Sequence, residues 1–322
     1  MALLYQYIAP GGPQGGRFSL PLQLSDMTLL AADPRSFNDP FEVRPYFDQE
    51  CHDYFAKCHE SFYEAALGMK HSLLPRHSMT GIPTENVVGF AEHLNKQFRD
   101  ELGRRFRVLC LSRTPSDFLM WGYYTRSYQG FVIGLDTNHP SFHKGIEPEG
   151  FPITYSADRS RKKLPLAFYQ SPSVEEYDLQ GNIVNPPDEL VQSDGGLLIP
   201  FKEYRRRLEE AMLTALTNKA QDWHHEQEVR FIYDLSKHRG QLLAKEGRDL
   251  VRIPPDALKE IIVGFRAGAP QVGELVRLYR AGRIGKPKLF FSACHPNLYE
   301  VQAHEADDKY PLDYFQIILP SQ

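Results

Sequence analysis

The stretch Lys219–Leu235, KAQDWHHEQEVRFIYDL, leads a cluster of charged side chains directly into an apolar run. Its second half, EVRFIYD, alternates as a strand does, because successive strand side chains point to opposite faces. This period puts Glu226, Glu228 and Arg230 on one face. Carboxylates two residues apart on a strand lie about 6–7 Å from each other and repel, so the arginine, a ligand or solvent must compensate. We therefore predict a strand with a polar pocket on one face.

The same residues also fit a solvated strand end that carries a surface ion pair, which would contribute little to stability. The neighbouring Trp223 and Ile232 favour partial burial. Both interpretations stay open on these residues alone.

The bulk composition indicates a globular protein. The chain has 322 residues, of which 42% are hydrophobic and 12% aromatic, so it can bury a sizeable core. A formal net charge of −4 with both signs mixed argues against a general nucleic-acid binder. The four cysteines do not make a disulfide framework, and the sequence shows no signal peptide and no membrane span. These features predict a soluble, cytoplasmic protein.

Strands and helices follow one another without the regular alternation of a parallel-sheet protein. Runs such as LLYQYIA, FRVLCLS, GFVIGLD, FPITYS, KEIIVGFRA and YFQIILP predict strands, and periodic segments predict helices that begin near Asp48, Thr84, Pro200 and Ala269. We predict an α+β fold with a central mixed or split β-sheet flanked by helices. Residues 1–322 are expected to form a single domain, with a helical insertion at about 48–104 and a loop-rich excursion at about 157–199.

The motif SFNDPFE predicts a rigid turn, in which Asn38 closes an Asx-turn and Asp39 is held extended before proline. Phe37 and Phe41 are expected to anchor this loop in the core, which would leave Asn38, Asp39 and Glu42 pointing in a fixed direction. A purely structural turn fits the same residues. The two interpretations are compatible, because a rigid loop is a good platform for a site.

The segment LCLSRTPSDFLMWGYYTRSYQGFVIGLD puts Ser112 and Arg113 at a strand end and follows them with aromatic residues that include Trp121 and Tyr124. Aromatic side chains with polar tips can line a pocket for a flat ring such as adenine or nicotinamide, although such residues are more often core. Ser112 lacks the G-x-S-x-G surroundings of a hydrolase nucleophile.

No metal site is predicted. The cysteines and histidines of CHDYFAKCHE fit no usual zinc-finger spacing, and His224 and His225 lack an H-E-x-x-H frame. The sequence also has no Walker A motif and no G-x-G-x-x-G, so it supports neither a P-loop nor a dinucleotide-binding Rossmann fold.

Taken together, these motifs resemble a widespread bacterial family catalogued as a domain of unknown function. Its members open with an aromatic strand like LLYQY and carry motifs like FNDPFE and LCLS…LMWGYY…GFVIGLD. A pattern K…W..E.E.R and a strand like LKEIIVG follow, and the former corresponds here to Lys219, Trp223, Glu226, Glu228 and Arg230. The resemblance runs through nearly the whole chain in the same order, but it implies no activity.

A more distant resemblance is to the ADP-ribosyltransferase fold, in which a first strand offers Arg or His, a middle strand Ser or Tyr, and a later strand the catalytic Glu, often as E-x-E. This resemblance assigns Tyr5 or Tyr7 to the first position and Ser112 to the second. It makes Glu228 the catalytic glutamate and Glu226 the upstream one. LLYQY contains neither Arg nor His, so the usual NAD anchor is missing.

We expect one pocket built from the Asn38–Glu42 loop, the Ser112–Tyr124 segment and the Glu226–Arg230 strand, with the loop within about 10 Å of the strand. Catalytic roles are expected for Glu228, Glu226 and Ser112. Ligand-binding roles are expected for Tyr5, Tyr7, Asn38, Asp39, Glu42, Arg113, Trp121, Tyr124 and Arg230.

Two functions of different class fit this pocket. The first is an NAD-using, ADP-ribosyltransferase-like enzyme, an effector in a bacterial defence or toxin system, with NAD as substrate and a macromolecule as acceptor. The second is a non-catalytic module that senses a nucleotide-type ligand or binds a protein. A hydrolase with paired carboxylates is a third, and it would need a metal or a defined carboxylate separation.

Overall fold

The structure is a computed structural model, and it describes residues 3–14, 17–18, 20–45, 84–139, 150–158, 190–192 and 198–306. The helix predicted from Asp48, the strand predicted at YFQIILP and most of the excursion at 157–199 lie outside the described residues.

Strands and helices alternate irregularly along the described chain. The strands are β1 Leu4–Ile8, β2 Pro13–Gln14, β3 Arg17–Phe18, β4 Thr28–Leu30, β5 Phe106–Ser112, β6 Phe131–Leu135, β7 Phe151–Pro152, β8 Thr154–Ser156, β9 Leu190–Gln192, β10 Leu198–Pro200, β11 Asn218–Ala220, β12 Glu228–Asp234, β13 Leu243–Lys245, β14 Arg248–Arg252, β15 Leu258–Val263, β16 Lys288–Cys294 and β17 Val301–Glu305. The α-helices are α1 Leu22–Ser25, α2 Thr84–Arg105, α3 Phe118–Tyr124, α4 Phe201–Thr217, α5 Leu235–His238 and α6 Ala269–Arg280. Short 3-10 helices span Pro34–Ser36, Gln221–Glu226 and Arg239–Gln241.

The chain groups into two compact units. The first contains Met1–Asp33, Arg105–Ile153 and Asp222–Gln322, and the second contains Pro34–Arg104 and Thr154–Gln221.

The first unit is built on an eight-stranded sheet with the order β17-β16-β15-β6-β1-β5-β12-β7. Neighbouring strands are antiparallel except β15 and β16, which are parallel and are joined through α6. Parallel neighbours need such a crossover, whereas antiparallel neighbours can be joined by a short turn. The predicted α+β fold with a mixed sheet and flanking helices is therefore confirmed.

One face of this sheet carries the main hydrophobic core. Alternate residues of β12, namely Val229, Phe231 and Tyr233, are fully buried there, and Leu109 and Leu111 of β5 join them. The apolar positions of α6 belong to the same cluster, so this helix covers part of the apolar face. The apolar residues of EVRFIYD therefore recur at every second position because they point into this core, as expected of a strand with one apolar face.

The opposite face combines aromatic and polar side chains. Tyr7 of β1 packs edge-on against Trp121 of α3, with ring centroids 5.8 Å apart and an interplanar angle of 80°. Val132 and Ile262 complete the buried part of this smaller cluster, and Tyr5 and Tyr124 pack at its margin. This face carries the candidate site.

A three-stranded sheet, β13-β14-β4, also belongs to the first unit. Asp249 of β14 accepts hydrogen bonds from the guanidinium groups of Arg107 and Arg239, each at 2.6 Å.

In the second unit, α4 begins at Phe201, as predicted from the sequence. Two strand pairs accompany it: β9 with β10, antiparallel, and β8 with β11, parallel. The prediction of a single strand at FPITYS is wrong, because β7 pairs with β12 whereas β8 pairs with β11. Across the ranges that the structure describes, no helix has the length and apolar character needed to span a bilayer.

Candidate functional site

Three of the predicted site residues face one another across adjacent strands of the first unit. Tyr5 of β1 and Glu228 of β12 are both direct partners of Ser112 in β5, one on each side. Directly opposed residues project from the same face of a sheet, with Cα atoms about 4.5–5.5 Å apart. Tyr5, Ser112 and Glu228 therefore form one row across three strands.

The prediction that Glu226 shares the strand with Glu228 is wrong. Glu226 ends the 3-10 helix, Gln227 adopts a left-handed conformation with φ 44°, and the strand begins only at Glu228. A left-handed residue interrupts the two-residue alternation on which the prediction depends.

Glu226 nevertheless lies beside Ser112, through a different geometry. The Ser112 hydroxyl donates to the backbone carbonyl of Glu226 at 2.6 Å. The Tyr124 phenol donates to Oε1 of Glu226, also at 2.6 Å. The 3-10 helix thus brings the first glutamate of the E-x-E pair onto β5 and α3.

Arg230 holds the carboxylate of Glu228 with two hydrogen bonds. Nε donates to Oε1 at 2.8 Å and Nη2 to Oε2 at 2.9 Å, in the bidentate geometry that makes arginine–carboxylate pairs strong. Only 7% of the Glu228 side chain and 1% of the Arg230 side chain are exposed. The alternative of a solvated strand end with a surface ion pair is therefore wrong.

Two of the predicted ligand-binding aromatics have structural partners. The Trp121 indole, fully buried, donates to the carbonyl of Pro115 at 2.9 Å, and the Tyr7 phenol donates to the carbonyl of Thr114 at the same distance. Burial raises the pKa of Tyr7, and the nearby Asp117 adds to this rise. Trp121 and Tyr7 thus fix the strand end that carries Ser112, whereas Tyr124 is the aromatic residue that reaches Glu226.

Tyr5 contacts Glu260, a residue that the sequence analysis did not name. Its phenol donates to Oε2 of Glu260 in β15 at 3.2 Å. Burial, followed by the negative charge of Glu260, raises the pKa of Tyr5 to about 12, so the phenol is a donor at neutral pH. The signal for Glu260 was its polar character inside the strand LKEIIV, but only the strand pairing places it on the same face as Tyr5.

Arg113 is the first residue after β5. Its backbone N–H donates to the carbonyl of Gln227 at 3.1 Å, and its side chain is exposed. This hydrogen bond joins the end of β5 to the turn before β12.

The Asn38–Glu42 loop belongs to the second unit. Asp39 closes an Asx-turn in it, since Oδ1 of Asp39 accepts from the backbone N–H of Phe41 at 2.9 Å, and the Asx-turn expected from Asn38 stays a prediction. Phe41 is half exposed, so the prediction that it anchors the loop in a core is wrong. The buried residues of the motif are Asp39 and Glu42, and the pocket expected between this loop and the strand of Glu228 stays a prediction.

The buried charge of Glu42 has a partner within the second unit. Nζ of Lys219 in β11 lies 3.8 Å from Oε2 of Glu42, and both side chains are almost completely buried. Oδ2 of Asp39 is buried and, in the described chain, has no hydrogen-bond partner. Buried polar atoms normally have a hydrogen-bond partner. The Asp39 carboxylate is therefore, after Glu42, the second buried polar group of this loop that stands out.

Among the residues that the structure describes, no three His, Cys, Asp or Glu side chains are arranged to hold a metal ion.

Comparison with known proteins identifies one family over part of the chain. A family model described as a protein of unknown function (DUF2971) matches residues 120–231. This span contains Tyr124, Glu226 and Glu228, and it excludes Tyr5 and Ser112. No curated protein and no solved structure matches the chain. From α3 to the middle of β12, this chain is therefore similar to a family whose function is unknown.

Proposed function

We propose that the first unit carries an ADP-ribosyl-transfer site that uses NAD as substrate and a macromolecule as acceptor, as in an effector of a bacterial defence or toxin system. The observation that carries this proposal is the row Tyr5–Ser112–Glu228 across β1, β5 and β12. The order is the one in which an ADP-ribosyltransferase presents the residues of its first strand, its middle strand and its glutamate strand.

The reaction breaks the bond between the nicotinamide nitrogen and C1′ of the attached ribose, and the bonding electrons leave with nicotinamide. An acceptor nucleophile forms the new bond to C1′ and gives up its proton. The Glu228 carboxylate stabilises the positive charge that develops on the ribose, because preorganised charges act strongly where water is excluded. Each carboxylate oxygen has two lone pairs, so Glu228 can accept from a ribose hydroxyl while Arg230 holds it.

Glu226 is suited to receive the proton of the acceptor. A base must lie within hydrogen-bond reach of the group that it deprotonates. The Glu226 carboxylate accepts from the Tyr124 phenol, and the backbone carbonyl of Glu226 accepts from the Ser112 hydroxyl, which holds the residue beside the row. The Tyr124 ring, half-buried beside it, offers a flat apolar surface for nicotinamide. The first strand lacks the usual Arg or His, and Arg230 contributes a cation to this face.

The buried ion pair of Glu228 favours a second candidate function, a module that binds a nucleotide-type ligand without turnover. A bidentate pair of this kind orients a carboxylate for binding as well as for catalysis. The two candidates differ in one observable, the release of nicotinamide.

The test is incubation of the protein with NAD and cell extract, followed by mass spectrometry for free nicotinamide and for modified macromolecules. Glu228→Gln should lower nicotinamide release by roughly 100-fold or more. Because Glu228→Gln also disturbs a buried ion pair, Asp234→Asn is the matched control. Asp234 lies at the far end of the same strand and loses its own pair with Arg105, 3.0 Å away, without touching the row.

If Asp234→Asn still releases nicotinamide while it loses about as much stability as Glu228→Gln, the effect of Glu228→Gln is assigned to the chemical step and not to the loss of an ion pair. NAD binding without release in the wild-type protein would favour the binding module. Absence of both, with any extract as acceptor, would end the transferase proposal.

A further inference from the structure

The row of the candidate site continues on the other side of β1. Gly134 of β6 is the direct partner of Tyr5, and Glu260 of β15 is the direct partner of Gly134. Five adjacent strands therefore present Glu260, Gly134, Tyr5, Ser112 and Glu228 in one line, with a carboxylate at each end. At 4.7–4.9 Å per strand, the backbones of the two glutamates lie roughly 19 Å apart.

Gly134 allows Tyr5 to reach Glu260. A Cβ atom at position 134 would lie 2.9 Å from Cε1 of the Tyr5 ring and 3.0 Å from Cβ of Glu260. Real Cβ atoms do not approach other atoms this closely, so the ring crosses β6 over a position where a side chain is missing. The contact between the Tyr5 phenol and Glu260 thus depends on this glycine.

Glu260 is a partly exposed carboxylate with spare acceptor capacity. The Tyr5 phenol donates to Oε2, and none of the ion pairs within the described residues involves Glu260. Across the same ranges, Oε1 accepts no hydrogen bond from protein. An ionised carboxylate only accepts hydrogen bonds, so the groups that complete its shell must be donors.

We infer that Glu260, oriented by Tyr5, binds the vicinal hydroxyls of a second ribose, at the end of the row opposite Glu228. This inference rests on the proposed function and deepens it, because it assigns the two ends of the row to the two ribose rings of a dinucleotide. Carboxylates accept from ribose hydroxyls in the dinucleotide sites of Rossmann-type proteins, and the same chemistry is open to Glu260 on this different sheet. Tyr5 is then a positioning residue, which holds the carboxylate and stays protonated.

The test uses ADP-ribose, which has both ribose rings and no nicotinamide bond to break, and an analogue that lacks both the 2′- and the 3′-hydroxyl of the adenosine ribose. Calorimetry would compare the wild-type protein with Glu260→Ala, and with Glu274→Ala on the exposed side of α6 as the control. Glu260→Ala should bind ADP-ribose about ten-fold or more weakly, because a hydrogen bond to a charged group is lost. The same variant should bind the analogue as the wild-type protein does.

A second variant, Gly134→Ala, should reproduce the loss for ADP-ribose, since the added methyl group displaces the Tyr5 ring from Glu260.

Nicotinamide release from NAD, measured on the same proteins, separates this inference from the proposed function. Binding that depends on Glu260, without release, would support the second ribose site and overturn the transferase. Release with equal affinity of wild-type and Glu260→Ala proteins for ADP-ribose would overturn the inference alone. A wild-type protein that neither binds ADP-ribose nor releases nicotinamide would overturn both.

Discussion

At the scale of single residues, the two glutamates of the Lys219–Leu235 stretch each have their own partner. Glu228 accepts hydrogen bonds from Arg230 of the same strand, whereas Glu226 accepts one from the phenol of Tyr124 in α3. Sequence alternation put Arg230 on the face of Glu228, since residues two apart on a strand share a face, but it left a ligand or solvent as equal alternatives. It could not predict Tyr124 as the partner of Glu226, because that contact joins positions 102 residues apart.

Arg230→Met should destabilise the protein strongly. The substitution removes the guanidinium from the buried Glu228 carboxylate, and breaking a buried ion pair on one side typically costs about 3–5 kcal/mol. The double variant Glu228→Leu with Arg230→Met should be less destabilised than the single one, because no charge then stays behind. Urea unfolding of both variants measures this difference, and equal losses would show that the ion pair is not what the single substitution disrupts.

Asp234 should make stability depend on acid pH. Burial opposes ionisation of this carboxyl, but hydrogen bonds from Ser236 and the Arg105 guanidinium outweigh it and hold the pKa of Asp234 below its usual range. A carboxyl whose pKa is lowered on folding adds stability above its unfolded pKa of about 3.9 and loses it as the pH falls through the folded pKa.

Asp234→Asn should therefore lower the free energy of unfolding at pH 7 and make it less sensitive to pH below about 4. Denaturant unfolding at a series of pH values measures this. A variant whose acid profile runs parallel to that of the wild-type protein would contradict the assignment.

At the scale of elements, local patterns identified the strands but not their neighbours. LLYQYIA, FRVLCLS and GFVIGLD all form strands close to where alternation predicted them. Their sheet order, with β1 between β5 and β6, follows from long-range pairing that no local pattern contains. The row that unites Tyr5, Ser112 and Glu228 thus became visible only with the register. The resemblance to ADP-ribosyltransferases had named Ser112 and Glu228 but left the first position open between Tyr5 and Tyr7.

The turn before β12 is the element that local reasoning described least well. Gln227 occupies a left-handed conformation there, which is uncommon for a residue other than glycine and costs roughly 1–2 kcal/mol. A glycine at that position would have indicated the break between Glu226 and the strand.

Substitutions at position 227 should report this strain. Gln227→Val should destabilise the protein by roughly 1–2 kcal/mol, because a β-branched side chain tolerates the left-handed region poorly, whereas Gln227→Gly should be neutral or stabilising. Thermal unfolding of the pair would test this order. Equal melting temperatures for the two variants would argue against a strained turn.

At the scale of the whole molecule, the first unit is assembled from three separate segments of the chain. The family match at residues 120–231 contains β6 and the first part of β12, but the two strands that lie between them in the sheet, β1 and β5, are outside it. Composition could predict a core of this size, but not that its central strands would come from distant parts of the sequence.

A fragment limited to residues 120–231 should therefore stay unfolded. Within it β6 has lost both of its sheet neighbours, and β12 retains only β7. Two short strands without a sheet are marginal at best in water. Amide NMR spectra would show narrow dispersion for the fragment and wide dispersion for the full chain, and a well-dispersed fragment spectrum would contradict the prediction.

The central position of β1 also has a consequence for the order of events during synthesis. The ribosome makes this strand before β5 and β6, which flank it in the sheet and emerge only about a hundred or more residues later. At the usual rate of synthesis of 5–20 residues per second, roughly 5–20 s pass between the synthesis of this apolar and aromatic strand and that of its first sheet partner. A nascent chain of this protein should therefore be a client of ribosome-associated chaperones until β5 and β6 have left the exit tunnel.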